Sequence, residues 1–181
     1  MRSDQALGAE VGTCKRNHGR PIIRRQHGFG RKGNLEVVTY ADTSVLVSIY
    51  AFEDTAEAAR KLLSGLLHPV PLNHFLLLEM RNAIRRKVPT SKATKAQTSR
   101  MLKELERSIA DGALKFRDLD FRSVFNRAED LSARFTERLN TRAFDVLHVA
   151  IAVETGCRAF LTFDEGQAKL AMAAGLTINT D

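Results

Sequence analysis

Four carboxylates occupy positions where a carboxylate is costly or conspicuous. Asp42 ends the β-branched and aromatic run Val37-Val38-Thr39-Tyr40-Ala41, and Thr43-Ser44 and an apolar, helix-like run follow at once. Asp164 repeats the arrangement after Phe160-Leu161-Thr162. Glu79 interrupts the apolar sequence Leu76-Leu77-Leu78 and Met80, and its helical neighbours Phe75, Leu76, Asn82 and Ala83 include no cation to pair with it. Asp145 lies in Ala143-Phe144-Asp145-Val146-Leu147-His148-Val149-Ala150-Ile151, the most apolar helical stretch of the chain. Crowded carboxylates repel one another, and Mg²⁺ and Mn²⁺, which prefer hard oxygen ligands, relieve that repulsion. The reaction most often built on such a pocket is phosphodiester cleavage assisted by one or two metal ions.

Each carboxylate also has a plainer explanation. An Asp that precedes a helix is a good N-cap, which suits Asp42 and Asp164. Glu79 would fit a single solvated strip of its helix together with Asn82 and Arg86. Asp145 near a helix start gains from the helix dipole, with Arg142 as a pairing partner and His148 one turn on as a hydrogen-bonding one. A lone histidine on an apolar helix is more often a satisfied core residue than a metal ligand. Two strand–Asp–helix junctions, a carboxylate in a core helix and an unpaired helical glutamate are harder to explain separately than together. A shared acidic pocket fits all four, at the carboxyl ends of the strands where an open parallel sheet places its ligand crevice. Mutual repulsion there should raise the carboxyl pKa values.

The elements that must position them follow from periodicity and punctuation. A first strand runs from Leu35 to Asp42, then a helix over about 43–50. A second helix opens at Glu53-Asp54-Thr55 and keeps the stripe Ala59, Leu62, Leu63, Leu66, Leu67. His68 to Leu72 is a short Pro-bounded strand. Asn73 caps an apolar helix that carries Glu79 and that Pro89 ends. A polar helix covers 90–110, and Asp111-Gly112 breaks it. Leu114–Leu119 is a strand. Phe121–Leu139 is an amphipathic helix with Val124, Phe125, Ala128, Leu131 and Phe135 as its apolar side. Asn140-Thr141 makes a turn, and the helix from Arg142 to Glu154 is apolar nearly all round, hence buried. A strand over 158–162, a helix over 165–174 and a last strand over 176–179 complete the chain. Alternating strands and helices predict an α/β domain with a mainly parallel central sheet flanked by helices.

The totals restrict the class further. The 181 residues allow one ordinary domain plus a tail, and 44% hydrophobic with 27% charged residues suits a globular protein. No apolar run reaches the roughly 20 residues of a membrane span, so no membrane partner is expected. The two cysteines, Cys14 and Cys157, form no metal or redox motif, which favours a reducing cytoplasm. The net charge of +7 points to a polyanionic partner. Its distribution weakens that inference for the domain. Residues 1–34 hold eight basic and two acidic residues, and the other 147 are nearly neutral. Composition makes 1–34 a disordered basic tail, either a nucleic-acid-binding arm or sequence from an upstream start. The folded domain is 35–181.

The order of Asp42-Thr43-Ser44, mid-chain Glu79, Phe144-Asp145-Val146-Leu147-His148-Val149-Ala150 and Leu161-Thr162-Phe163-Asp164 resembles PIN-domain ribonucleases, in particular the VapC-type toxins of toxin–antitoxin pairs. The resemblance spans about 36–181, and its motifs are individually short but specific in their joint order. It implies a Mg²⁺- or Mn²⁺-dependent endoribonuclease, usually dimeric and held inactive by a cognate antitoxin. It also implies in-line attack of water that leaves a 5′-phosphate and a 3′-hydroxyl. Asp42, Glu79, Asp145 and Asp164 match the family's acidic quartet and its metal-holding positions. Ser44 and Thr162 match hydroxyl positions beside it, with Asn82 and His148 as further neighbours. The basic tail is the departure from the compact family pattern.

Arg81, Arg85, Arg86 and Lys87 are candidates to hold an RNA backbone, although the same run would serve as a solvated helix end. Two other functions compete. An α/β phosphatase would need a nucleophilic Asp-x-Asp after the first strand, and Thr43-Ser44 follow Asp42 instead. A non-catalytic RNA-binding or scaffold module would have no need of an intact quartet. Because the tail carries no core, a chain beginning near Leu35 is expected to keep the melting temperature of the full chain. Calorimetry of the two forms checks this, and a large drop would show that the tail packs on the domain.

Overall fold

The computed structural model describes residues 38–51, 54–66 and 69–178. The expectations for the tail and for the start of the first strand lie outside these residues. In chain order the elements are β1 (Thr39–Ala41), α1 (Thr43–Ala51), α2 (Ala56–Ser64), β2 (Val70–Leu72), α3 (His74–Arg86) and α4 (Lys95–Ala110). They continue with β3 (Leu114–Phe116), α5 (Phe121–Leu139), α6 (Ala143–Glu154), β4 (Ala159–Leu161), α7 (Glu165–Ala173) and β5 (Thr177–Ile178). All strand pairs described are parallel, as the alternation predicted.

The sheet is divided into β1-β4-β5 and β2-β3. Pro71 gives a physical reason. Val70 N–H donates to Ala113 O at 3.0 Å, and Leu72 O accepts from Arg117 N–H at 2.8 Å, so both residues turn their polar groups toward β3. Pro71, between them, turns its backbone the other way, toward β1, which packs beside β2. Proline has no N–H to extend a ladder in that direction.

Among the described residues an apolar cluster joins both sheets and the helices. Tyr40, Leu46, Ile49, Leu72, Leu76, Met80, Ile84, Leu105 and Phe160 are all fully or almost fully buried in it. Each such side chain contributes roughly 1.5–3 kcal/mol on leaving water. On α3 the buried residues are Leu76, Leu77, Met80 and Ile84. Glu79 stands at the border of that stripe and is half-buried. On α5 the buried face is Val124, Ala128, Leu131 and Phe135. Phe125 lies one residue off this stripe and is exposed, contrary to expectation.

The start of the polar helix differs from the sequence reading. The polar helix begins at Lys95 rather than Thr90. Ser91 adopts φ 57°, a left-handed conformation that a helix cannot contain. Thr94 and Gln97 then form a capping box, with Thr94 Oγ1 accepting from Gln97 N–H and Gln97 Oε1 accepting from Thr94 N–H. Asn73 caps α3 as expected, accepting from Leu76 N–H at 2.9 Å.

Thr94→Ala removes half of an exposed capping box and is expected to cost about 1 kcal/mol. Urea unfolding should show a lower midpoint with an unchanged slope. No change in midpoint would mean that tertiary contacts alone hold the start of α4.

Candidate active site

Asp42 follows β1 directly and is buried, with only 1% of its surface exposed. The ladder continues one residue beyond the strand, since Asp42 N–H donates to Leu161 O at 3.0 Å. This fixes Asp42 beside Thr162 on the neighbouring chain segment. Both carboxylate oxygens are occupied. Oδ1 accepts from Ser44 Oγ–H at 2.7 Å and from Val45 N–H at 3.0 Å, and Oδ2 accepts from Thr162 Oγ1–H at 2.7 Å. The bond from Val45 is an N-cap bond to α1, so the plainer reading of Asp42 holds as far as it goes. The two hydroxyls and the depth of burial go beyond it, because an ordinary cap lies at the surface.

The same hydroxyls continue outward. Ser44 Oγ accepts from Phe163 N–H, and Thr162 Oγ1 accepts from Asp164 N–H, each at 2.9 Å. Asp164 is exposed and caps α7, its Oδ1 accepting from Gln167 N–H at 2.8 Å. Gly166 leaves it room, since a Cβ there would stand 3.1 Å from Asp164 Oδ1. Gln167 also reaches Asp145, donating from Nε2 to Oδ1 at 3.1 Å. Asp145 Oδ2 accepts from the backbone N–H of Arg142 at 3.0 Å. Arg142 therefore contributes its main chain to Asp145, not the ion pair that sequence suggested.

Glu79 approaches from α3. Its Oε2 accepts from Thr43 Oγ1–H and from His148 Nε2–H, the latter at 2.6 Å. The other ring nitrogen of His148 meets Tyr40 Oη at 2.8 Å. His148 is thus a satisfied core histidine, but its partners are Glu79 and Tyr40 rather than Asp145. Thr43 is the residue next to Asp42, so Glu79 is brought to the end of β1.

The charges differ from a simple crowd of carboxylates. Burial pushes the Asp42 carboxyl above its ordinary range, and the hydrogen bonds from Ser44, Thr162 and Val45 only partly offset this. Burial pushes Glu79 the same way. There the hydrogen bond and charge of His148, with the Thr43 hydroxyl, outweigh it and hold the group below its ordinary range. The expected upward shift through mutual repulsion is therefore not what governs either group.

Other expected neighbours are placed differently. Asn82 is exposed, and among the described residues no hydrogen bond joins its side chain to the cluster. Arg81 is paired with Glu106 of α4 at 2.5 Å, which braces α3 against α4. Arg85 and Arg86 are exposed in the last turn of α3, and Lys87 forms its C-cap. Sequence reasoning passed over Tyr40, Thr43 and Gln167. Thr43 adjoins Asp42 and Gln167 lies three residues after the Asp164 cap, so only those spacings hinted at them. Nothing in the sequence marked Tyr40 as more than a strand aromatic.

Residues 39–172 match the family model of the PIN domain. The chain belongs to the PIN domain family. Its members are hydrolases that act on nucleic acids and generally use divalent metal ions. Solved structures agree on the fold. VapC20 of Mycobacterium tuberculosis, a toxin that cleaves the sarcin-ricin loop, superposes with a TM-score of 0.56 at 16% identity, over 77% of this chain and 96% of that one. VapBC2 of Rickettsia felis, bound to a DNA fragment from its promoter, gives 0.53 at 15% identity over 78% and 96%. PAE2754 of Pyrobaculum aerophilum gives 0.50 at 14% identity over 81% and 92%. Among curated protein sequences no match reaches significance.

In this PIN domain the donor chemistry fits a hard divalent cation. Among the described residues no Lys or Arg side chain forms an ion pair with any of the four carboxylates. Gln167, which bridges Asp164 and Asp145, keeps its own Oε1 buried without a hydrogen-bond donor. Among the described residues no three His, Cys, Asp or Glu side chains are grouped as a ready cage. Mg²⁺ suits such a spread-out set, since it keeps several of its waters and takes only one or two carboxylates directly.

The two pKa shifts predict opposite pH dependences in the metal-free protein. For Asp42 the folded value is raised, so its contribution to stability is full in acid and is lost as pH rises through the folded value. For Glu79 the folded value is lowered, so its contribution is present above the unfolded value and is lost as pH falls through the folded one. Asp42→Asn should therefore be at least as stable as the wild type at neutral pH, with the difference shrinking in mild acid. Asp164→Ala should instead cost about 1 kcal/mol as a lost cap. Urea unfolding across this range in a chelator checks both. A loss above about 1 kcal/mol for Asp42→Asn at neutral pH would mean that hydrogen bonding outweighs burial.

Proposed function

We propose that this PIN domain is a divalent-metal-dependent endoribonuclease of the VapC type, the toxin of a toxin–antitoxin pair. One observation carries the reading. A continuous series of hydrogen bonds runs from Asp42 through Thr162 to Asp164, and through Gln167 to Asp145. Glu79 joins it at Thr43, beside Asp42. These bonds link the four acidic residues to the segments that follow β1 and β4, which supports a shared site there.

Asp42, Asp145, Asp164 and Glu79 would hold Mg²⁺ or Mn²⁺. Such an ion, held by these carboxylates, would supply a water of lowered pKa and would stabilise charge on the phosphoryl oxygens. Asp42 is the fixed member, since Ser44 and Thr162 hold both its oxygens. Asp164 is the accessible member, exposed where a phosphate can approach. Arg85 and Arg86 would attract the RNA backbone from the end of α3. An aspartyl-phosphate mechanism is poorly served here, because Thr43-Ser44 follow Asp42 where a nucleophilic Asp-x-Asp would be needed.

RNA as substrate is supported by the likeness to VapC20, and an antitoxin partner by the likeness to VapBC2. A second copy of the chain is the further partner expected. The purified protein should cleave RNA with Mg²⁺ or Mn²⁺ and stop with EDTA. Asp42→Asn and Asp164→Asn should each abolish cleavage or lower its rate by more than about 100-fold, beyond the 10- to 100-fold typical of residues that only support a metal ligand. At a hundred times its Kd, Mn²⁺ should stabilise the wild type by about 2.7 kcal/mol and Asp42→Asn by much less. Cleavage that persists in EDTA or in Asp42→Asn would overturn the proposal.

A further inference from the structure

Glu79 is held by one oxygen only. Thr43 and His148 both donate to Oε2. Oε1 accepts no hydrogen bond among the described residues, and 27% of the Glu79 side chain is exposed, so Oε1 is the oxygen left open. Oε2 needs donors, and an ionised carboxylate can only accept, so His148 must carry its proton on Nε2. Tyr40 holds the ring from its other side: its hydroxyl lies 2.8 Å from Nδ1, where it donates to a neutral imidazole or accepts from an imidazolium, so Nε2 keeps its proton toward Glu79 in either state.

The ring has little freedom to turn. His148 is 1% exposed. Phe75 packs against it at 5.1 Å between ring centroids, and Tyr40 meets it edge-on at 5.9 Å. Tyr40 is in turn stacked on Phe160 of β4 at 5.3 Å. The chain of contacts therefore runs from the strand pair that carries Asp42 to the helix that carries Glu79.

We infer that Tyr40 and His148 are positioning residues for Glu79, fixing Oε2 so that Oε1 alone is presented to water, metal or substrate at the cleft. The inference rests on the nuclease reading for its catalytic consequence, though not for its geometry. Three elements with no sequence proximity, β1, α3 and α6, are joined by it at one carboxylate. A glutamate has three rotatable bonds and would otherwise sample orientations that point Oε1 away from the other acids. Residues that orient a site carboxylate in this way typically matter by 10- to 100-fold in activity.

Two measurements test it. The first is the imidazole ¹⁵N spectrum of metal-free protein, which needs no substrate. It should show a proton on Nε2 of His148, and Tyr40→Phe and Glu79→Gln should each shift the ring resonances. An unprotonated Nε2 overturns the inference. The second is RNA cleavage kinetics. His148→Leu should lower kcat about 10- to 100-fold with little change in KM. His148→Gln, whose side-chain amide restores a donor at the Nε2 position, should recover most of the loss. Tyr40→Phe keeps the stacked ring and should give an intermediate decrease, so the test survives if a His148 variant folds poorly. In a Glu79→Gln background His148→Leu should have no further effect, because its action passes through Glu79. Equal losses in both backgrounds overturn the inference. A wild type that shows the expected spectrum yet does not cleave RNA overturns the nuclease reading and leaves the clamp on Glu79 standing.

Discussion

The burial of one ionisable side chain constrains everything around the candidate site. A carboxylate taken out of water is tolerated only when donors replace the lost hydration. At Asp42 the replacements come from Ser44 and Val45 on α1 and from Thr162 beyond β4. Those donors can converge only if α1 starts at once after β1 and β4 lies alongside in register. The β1–β4 ladder supplies that register, with Ala41 opposite Leu161. The strand pairing, the short junction and the hydroxyls at 44 and 162 are thus parts of one requirement.

The structural and catalytic explanations of the acidic residues are not rivals. Asp42 and Asp164 both cap helices, and Asp145 reaches back to the residue before its helix. In each case the carboxylate already accepts N–H bonds from a helix start, where the dipole favours negative charge. A helix start therefore lowers the cost of a permanent acid at the sheet edge. It also sets each side chain in a defined direction before any ligand arrives.

The α/β class and the element order could be read from the chain, and the four acids singled out as candidates, because they depend on local signals. Strand–Asp–hydroxyl junctions, Asn73 before an apolar helix and the Asp111-Gly112 break are each contained in a few residues. What was not legible depends on pairings across the fold. His148 was assigned to nearby Asp145, whereas the fold gives it Glu79 and Tyr40, 69 and 108 residues away. Arg81 read as a free cation until α4 brought Glu106 to it. The start of α4 was misjudged because a left-handed Ser91 gives no compositional signal. The division of the sheet was written in Pro71, but only the direction of its neighbours' hydrogen bonds reveals what that proline does.

The pairing of β1 with β4 also has a consequence during synthesis. Thr162 and Asp42 are 120 residues apart, and the hydroxyl that completes the Asp42 pocket comes late in the chain. At about 5–20 residues per second, the ribosome needs roughly ten seconds to travel between them. A nascent chain can form α1 and α3 and still lack the strand that closes the pocket. Translation itself therefore delays a complete acidic site until most of the polypeptide has emerged, and a truncated product carries the first two acids without their destination.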